Sequence, residues 1–152
     1  MSEETEAEVE VEVLVQPLIV DVYAYLEDED VLFSHAWRRR GAPRRKQGRL
    51  EIPKGERDAP IHFLLHDRTK LDLTFKSPEC EAIWVDLDQC PTGAGNGGQI
   101  TFESVARNLL RVTDANAGGA CTLHFALRFD GIPIGVGPPY EYDPEIRNGG
   151  SF

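Results

Sequence analysis

Cys121-Thr122-Leu123-His124-Phe125-Ala126-Leu127-Arg128-Phe129 alternates from end to end, with Cys121, Leu123, Phe125, Leu127 and Phe129 on one side and Thr122, His124, Ala126 and Arg128 on the other. A strand points successive side chains to opposite faces, whereas helical spacing would scatter these apolar groups around a cylinder. The segment therefore reads as a strand with one face in a core. The same two-residue period recurs near the start of the chain. Val9, Val11, Val13 and Val15 oppose Glu8, Glu10 and Glu12, and after Gln16-Pro17 the set Val20, Val22, Ala24 and Leu26 opposes Asp21, Tyr23 and Tyr25. Glutamates on an outer strand discourage edge-to-edge aggregation.

Between these strands the chain is punctuated by turn formers. Glu27-Asp28-Glu29-Asp30 is too charged to bury and predicts a turn into Val31–Trp37. Arg49–Pro53 reads as a brief strand, Ile61–His66 and Leu71–Phe75 as a hairpin, and Glu81–Leu87, with Ile83, Trp84 and Val85, as a further buried strand. Thr92–Gly98 has the composition of a flexible loop. Residues 104–110 admit two readings. Ser104 followed by Val105, Ala106, Leu109 and Leu110 suits two helical turns, while Leu110–Thr113 suits a strand. The expectation is an all-β chain: an antiparallel β-sandwich of immunoglobulin-like or jelly-roll-like architecture, with about eight short strands and at most one short helix. Its organisation reads as an acidic flexible arm over residues 1–7, one domain over residues 8–144 with a basic loop at 38–49, and a flexible tail over residues 145–152. No βαβ alternation points to a dinucleotide-binding sheet.

The chain has 152 residues, a formal net charge of -10 and 41% hydrophobic residues, enough apolar side chain for one core. Its overall acidity argues against general nucleic-acid binding, and no apolar run reaches the roughly 20 residues of a membrane-spanning helix. The charge is unevenly placed. Glu3, Glu4, Glu6, Glu8, Glu10 and Glu12 carry six acids with no base, while Arg38, Arg39, Arg40, Arg44, Arg45, Lys46 and Arg49 gather seven of the 16 bases with no acid among them. Blocks of like charge are commonly solvated faces. Clustered guanidinium groups also grip carboxylates and phosphates through paired hydrogen bonds, so these seven residues are the candidate partner-binding set. The acidic segment of a second copy would complement them, and matched patches of this kind set register and association rate.

Other chemistry is sparser. Cys80, Cys90 and Cys121 are an odd set, and with no secretory-type start they read as reduced thiols of a cytoplasmic protein, whether or not Cys80 and Cys90 approach each other. His62 and His66 are four apart, which on a strand separates them by about 13 Å and prevents chelation of one ion. With His124 they are the candidate general bases of a hydrolase-type reading that needs a neighbouring carboxylate. Asp86, Asp88, Asp114 and Asn116 are oxygen donors of the kind that hold Ca²⁺ in end loops, and equally the residues that start turns. Tyr23, Tyr25 and Trp37 are candidate stacking surfaces for a sugar or anchors for a protein. The glycines at 93, 95, 97 and 98 lack the Lys-Ser/Thr ending of a phosphate loop, and no nucleophile elbow or zinc-protease motif is present. The preferred expectation is a non-enzymatic module acting through protein contacts, including self-association. The alternatives are a carbohydrate- or cation-binding module and a small enzyme with a His/carboxylate site.

Overall fold

The computed structural model describes residues 16–151, so the acidic arm and the valine-glutamate strand expected over residues 8–15 lie outside the described residues. The strands are β1 (Leu18–Glu27), β2 (Asp30–Arg39), β3 (Leu50–Ile52), β4 (Ala59–Asp67), β5 (Thr74–Phe75), β6 (Ile83–Leu87), β7 (Ile100–Val105), β8 (Leu109–Asp114), β9 (Cys121–Asp130), β10 (Tyr140–Tyr142) and β11 (Glu145–Asn148). Among the described residues there is one short helix, α1 (Glu79–Ala82), just before β6. The fold is thus all-β, as expected. Among the described residues no helix is long and apolar enough to cross a membrane.

The strands form two sheets. The first runs β2-β1-β4-β8-β7, and the second is built on β9. Leu123 of β9 faces both Ile146 of β11 and Leu87 of β6. Leu127 faces Tyr142 of β10 and Ile83 of β6, and Phe129 faces Tyr140 of β10 and Phe75 of β5. β10 and β11 therefore share one edge of β9, and β5 and β6 share the other. The inner face of β9 meets the first sheet through aromatic pairs. Phe125 lies 5.4 Å from Phe63 of β4, and Phe129 stacks on Phe33 of β2 at 5.2 Å. Its outer face buries Arg128, whose guanidinium donates to Glu81 of α1 and Glu141 of β10 and lies 3.7 Å above the Trp84 ring. Two carboxylates and an aromatic face satisfy a cation that burial would otherwise penalise.

Several expectations need correction. The sheets are mixed rather than antiparallel, because β1 pairs in parallel with β4, and β11 with β3. Parallel neighbours require a crossover. After the β1–β2 hairpin the chain visits the second sheet as β3 and returns to the first as β4. A two-residue period is common to both kinds of pairing and does not distinguish them. Ile61–His66 and Leu71–Phe75 do not form a hairpin. β4 lies between β1 and β8, whereas β5 crosses to β9 in the other sheet. Residues 104–110 close the β7–β8 hairpin, with the turn at 106–108, and Val105 and Leu110, which suggested a helical face, are cross-strand partners.

The stretch from Glu145, expected as a tail, is β11, held between β9 and β3 with Ile146 and Asn148 buried. Gly149 follows because a Cβ there would come within 2.4 Å of the Lys54 amide nitrogen. The glycine-rich loop docks on β6, where Val85 N–H donates to Gly95 at 2.9 Å.

β9 is the strand on which both sheets converge, and Phe125 is fully buried there. Phe125→Ala is expected to lower unfolding free energy by about 3–5 kcal/mol, measured by urea denaturation. A loss below about 1 kcal/mol, the cost of a peripheral change, would contradict this placement.

Candidate functional site

β2 is an edge of the first sheet, and the basic segment folds back onto its end. Trp37 N–H donates to the Lys46 carbonyl at 2.8 Å, and Lys46 N–H to the Trp37 carbonyl at 2.6 Å. His35, two residues earlier on the same inward face, fixes the loop from below. Its Nε2 is 2.7 Å from the Gly48 carbonyl, which can only accept, so Nε2 carries the proton and Nδ1 accepts from the Tyr142 hydroxyl at 2.5 Å. One imidazole thus links the loop, β2 and β10.

Between the loop and β3 lies a depression of about 200 Å³ lined by Trp37, Arg38, Arg39, Arg44 and Lys46, with Glu51 as its acidic member. Trp37 forms its floor rather than an exposed stacking surface. The side chain is 5% exposed, in contact with the core, and its indole N–H has no partner among the described residues. Alternation along β2 places Trp37 inward beside Phe33 and His35, and places Arg38 outward opposite Ile19. The Lys46 ammonium sits 5.1 Å above the Trp37 ring. Arg39 pairs with Glu56 and donates to the Gln16 carbonyl at 2.9 Å. Arg49 lies 3.5 Å from Glu51. Among the described residues Arg38, Arg40 and Arg44 make no ion pair.

Arg45 leaves the cleft and lies across the outer face of β1. Its guanidinium donates to the Tyr23 hydroxyl at 2.8 Å and stands 3.4 Å from Asp21 Oδ2, an ion-pair distance without hydrogen-bond alignment. Asp21 is buried on that outer face and is 2.7 Å from His66 Nε2 through Oδ1. The His66 ring stacks on Tyr23 at 4.9 Å, and Arg68 lies 5.2 Å from the Tyr23 ring centre. Tyr23 is thereby tied into the loop's anchoring, while Tyr25 further along β1 is 41% exposed. The residue that sequence reasoning missed is Asp21. Alternation puts it on a polar face, and only the neighbouring strand and loop show that it is buried between a histidine and an arginine.

Of the candidate general bases, His66 has the neighbouring carboxylate that a His/carboxylate site needs, in Asp21. His62 and His66 project from the same face of β4, and the His62 imidazole is held below its ordinary value by burial and then by Arg111 and Arg40. His124 reaches Glu145 at 3.7 Å. No histidine lines any of the four principal surface depressions.

Of the proposed oxygen ligands, Asp86 accepts from the Leu87 amide and the Gln89 side chain. Asp88 is exposed, and Asp114 and Asn116 are fully buried in hydrogen bonds with the chain around them. Among the described residues no group of three or more His, Cys, Asp or Glu side chains is placed to hold a metal ion. Cys80 and Cys90 are exposed free thiols. Cys121 is half-buried, with its thiol pushed up by burial and then by Asp114 and Asp88. No protein-family model matches the chain, and no curated protein matches it in sequence.

His35→Ala removes the donor to Gly48 and the acceptor from Tyr142. It is expected to cost about 1 kcal/mol of stability and to raise hydrogen exchange at the Lys46 amide ahead of the β9 amides. Unchanged exchange at Lys46 would show that the loop is held by other means.

Proposed function

We propose that this protein is a non-enzymatic interaction module, a two-sheet β-sandwich that binds an acidic protein segment in the cleft over Trp37. Its partner is the glutamate-rich segment of another copy. The observation that carries this reading is the gathering of Arg38, Arg39, Arg44 and Lys46 around one depression at the edge of a protein whose net charge is -10. Arg38 and Arg44 make no ion pair among the described residues, so their guanidinium groups are open to an anion from outside. Guanidinium groups suit carboxylates because two parallel N–H donors match two oxygens. The buried indole beneath them adds an apolar floor with a polar edge, a common makeup for an interface anchor. Glu3, Glu4, Glu6, Glu8, Glu10 and Glu12 supply carboxylates at a density that matches the cleft. Contacts of this kind raise association rates and fix register, and they weaken as salt screens them over about 10 Å at 0.1 M.

Light scattering over a salt series tests the reading. The wild-type chain is expected to associate at low salt and to dissociate as salt rises. Arg38→Glu with Arg44→Glu is expected to remain monomeric throughout with its fold unchanged. A wild-type chain that is monomeric at low salt and high protein concentration would contradict self-association.

A further inference from the structure

Asp114, the last residue of β8, is fully buried. Its Oδ1 accepts from the Asn116 amide and from Asn148 Nδ2, each at 2.9 Å. Its Oδ2 is buried with no hydrogen-bond partner among the described residues, and so is Oδ1 of Asn148. The two orphan acceptors therefore belong to the same two side chains that already share one hydrogen bond. A carboxylic acid and a primary amide are both planar, and each presents a donor beside an acceptor when the acid is protonated. One proton on Oδ2 would satisfy both orphans at once by donating to Asn148 Oδ1. Turning the Asn148 amide over does not help, because it would set its oxygen against Asp114 Oδ1. A hard cation fits poorly as well, since two oxygens remain free where Ca²⁺ takes six to eight.

We propose that Asp114 is a neutral carboxylic acid in the folded protein, joined to the Asn148 amide by two reciprocal hydrogen bonds, and that this proton clasps the C-terminal strand β11 to the first sheet. The surrounding groups carry the clasp further. Asn116 donates to the carbonyls of Pro53 and Glu56 and accepts from the Gly150 amide at 2.7 Å, so β8, the β3–β4 connection and the end of β11 meet around one proton. Among the described residues no cation stands against the carboxyl to hold it ionised. Cys121 of β9, whose thiol lies against the Asn148 side chain as well, is the titratable group coupled to it. Arg147 of β11 turns away toward Thr122, and the Glu56 carboxylate is taken by Arg39. Lys54 meets the Gly149 end of β11 through its backbone. Burial pushes the Asp114 carboxyl above its ordinary value, against the opposing pull of the Asn148 and Asn116 hydrogen bonds.

Stability follows from the sign of that shift. Below the ordinary value of 3.8, folded and unfolded chains both hold the proton. Above it the unfolded chain releases the proton first, so the folding constant falls as pH rises, by up to about tenfold per pH unit, until the folded carboxyl itself ionises.

Asp114→Asn tests the clasp, because its Nδ2–H donates to Asn148 at every pH while its Oδ1 keeps both accepted bonds. Denaturation across pH is expected to show this component of pH dependence in the wild type and its loss in the variant, with the variant at least as stable at neutral pH. A less stable variant whose pH dependence matches the wild type would overturn the proposal. ¹³C NMR of the wild-type Asp114 carboxyl decides independently of the variant's folding. A protonated-acid shift at neutral pH supports the clasp, and a carboxylate shift overturns it.

Discussion

The packing of β9 against β4 and β2 is the constraint from which the rest of the molecule follows. Phe125 against Phe63 and Phe129 against Phe33 bring the two sheets face to face, and every other strand of the second sheet is placed by its pairing with β9 or, for β3, with β11. Burial of aromatic side chains contributes the largest share of such a contact because each removes a large apolar area from water. Once β2 is held by Phe33, alternation carries His35 and Trp37 inward as well. The basic loop then closes over a tryptophan that the core has already fixed. The candidate cleft is thus a consequence of the core's geometry at its rim, with the buried Trp37 as its floor.

Much of this was legible because burial on one face leaves a two-residue period. β9, β1 and the turn at Glu27–Asp30 follow directly from alternation and charge. What was not legible depended on which strands become neighbours. The parallel pairing of β1 with β4 leaves the same alternation as an antiparallel one. Ile146 and Asn148 form too short a pattern to read as a strand, and only the groove between β9 and β3 makes them one. The helical spacing of Val105 and Leu109 arose from two strands meeting across a tight turn.

The site was half legible for the same reason. The run of basic residues is plain in the chain, and a cleft lined by Arg38, Arg39, Arg44 and Lys46 requires both faces at the end of β2 and a loop that returns to it. Trp37 looked exposed beside so many charges, yet its strand parity buries it. Asp21 looked solvated, yet Arg45 and His66 close over it. Asp114 and Asn116 resembled ion ligands because turn formers and oxygen ligands are the same residue types, and only their hydrogen-bond partners separate the two roles.

The cleft over Trp37 is proposed to take the acidic segment of another copy of the protein. The most direct measurement is an NMR titration of the ¹⁵N-labelled protein with an unlabelled peptide covering residues 1–15. Saturable shifts of the Trp37 indole N–H and of the Arg38, Arg44 and Lys46 amides, reversed by added salt, are expected. Shifts confined to other surfaces, or none at millimolar peptide in low salt, would contradict it.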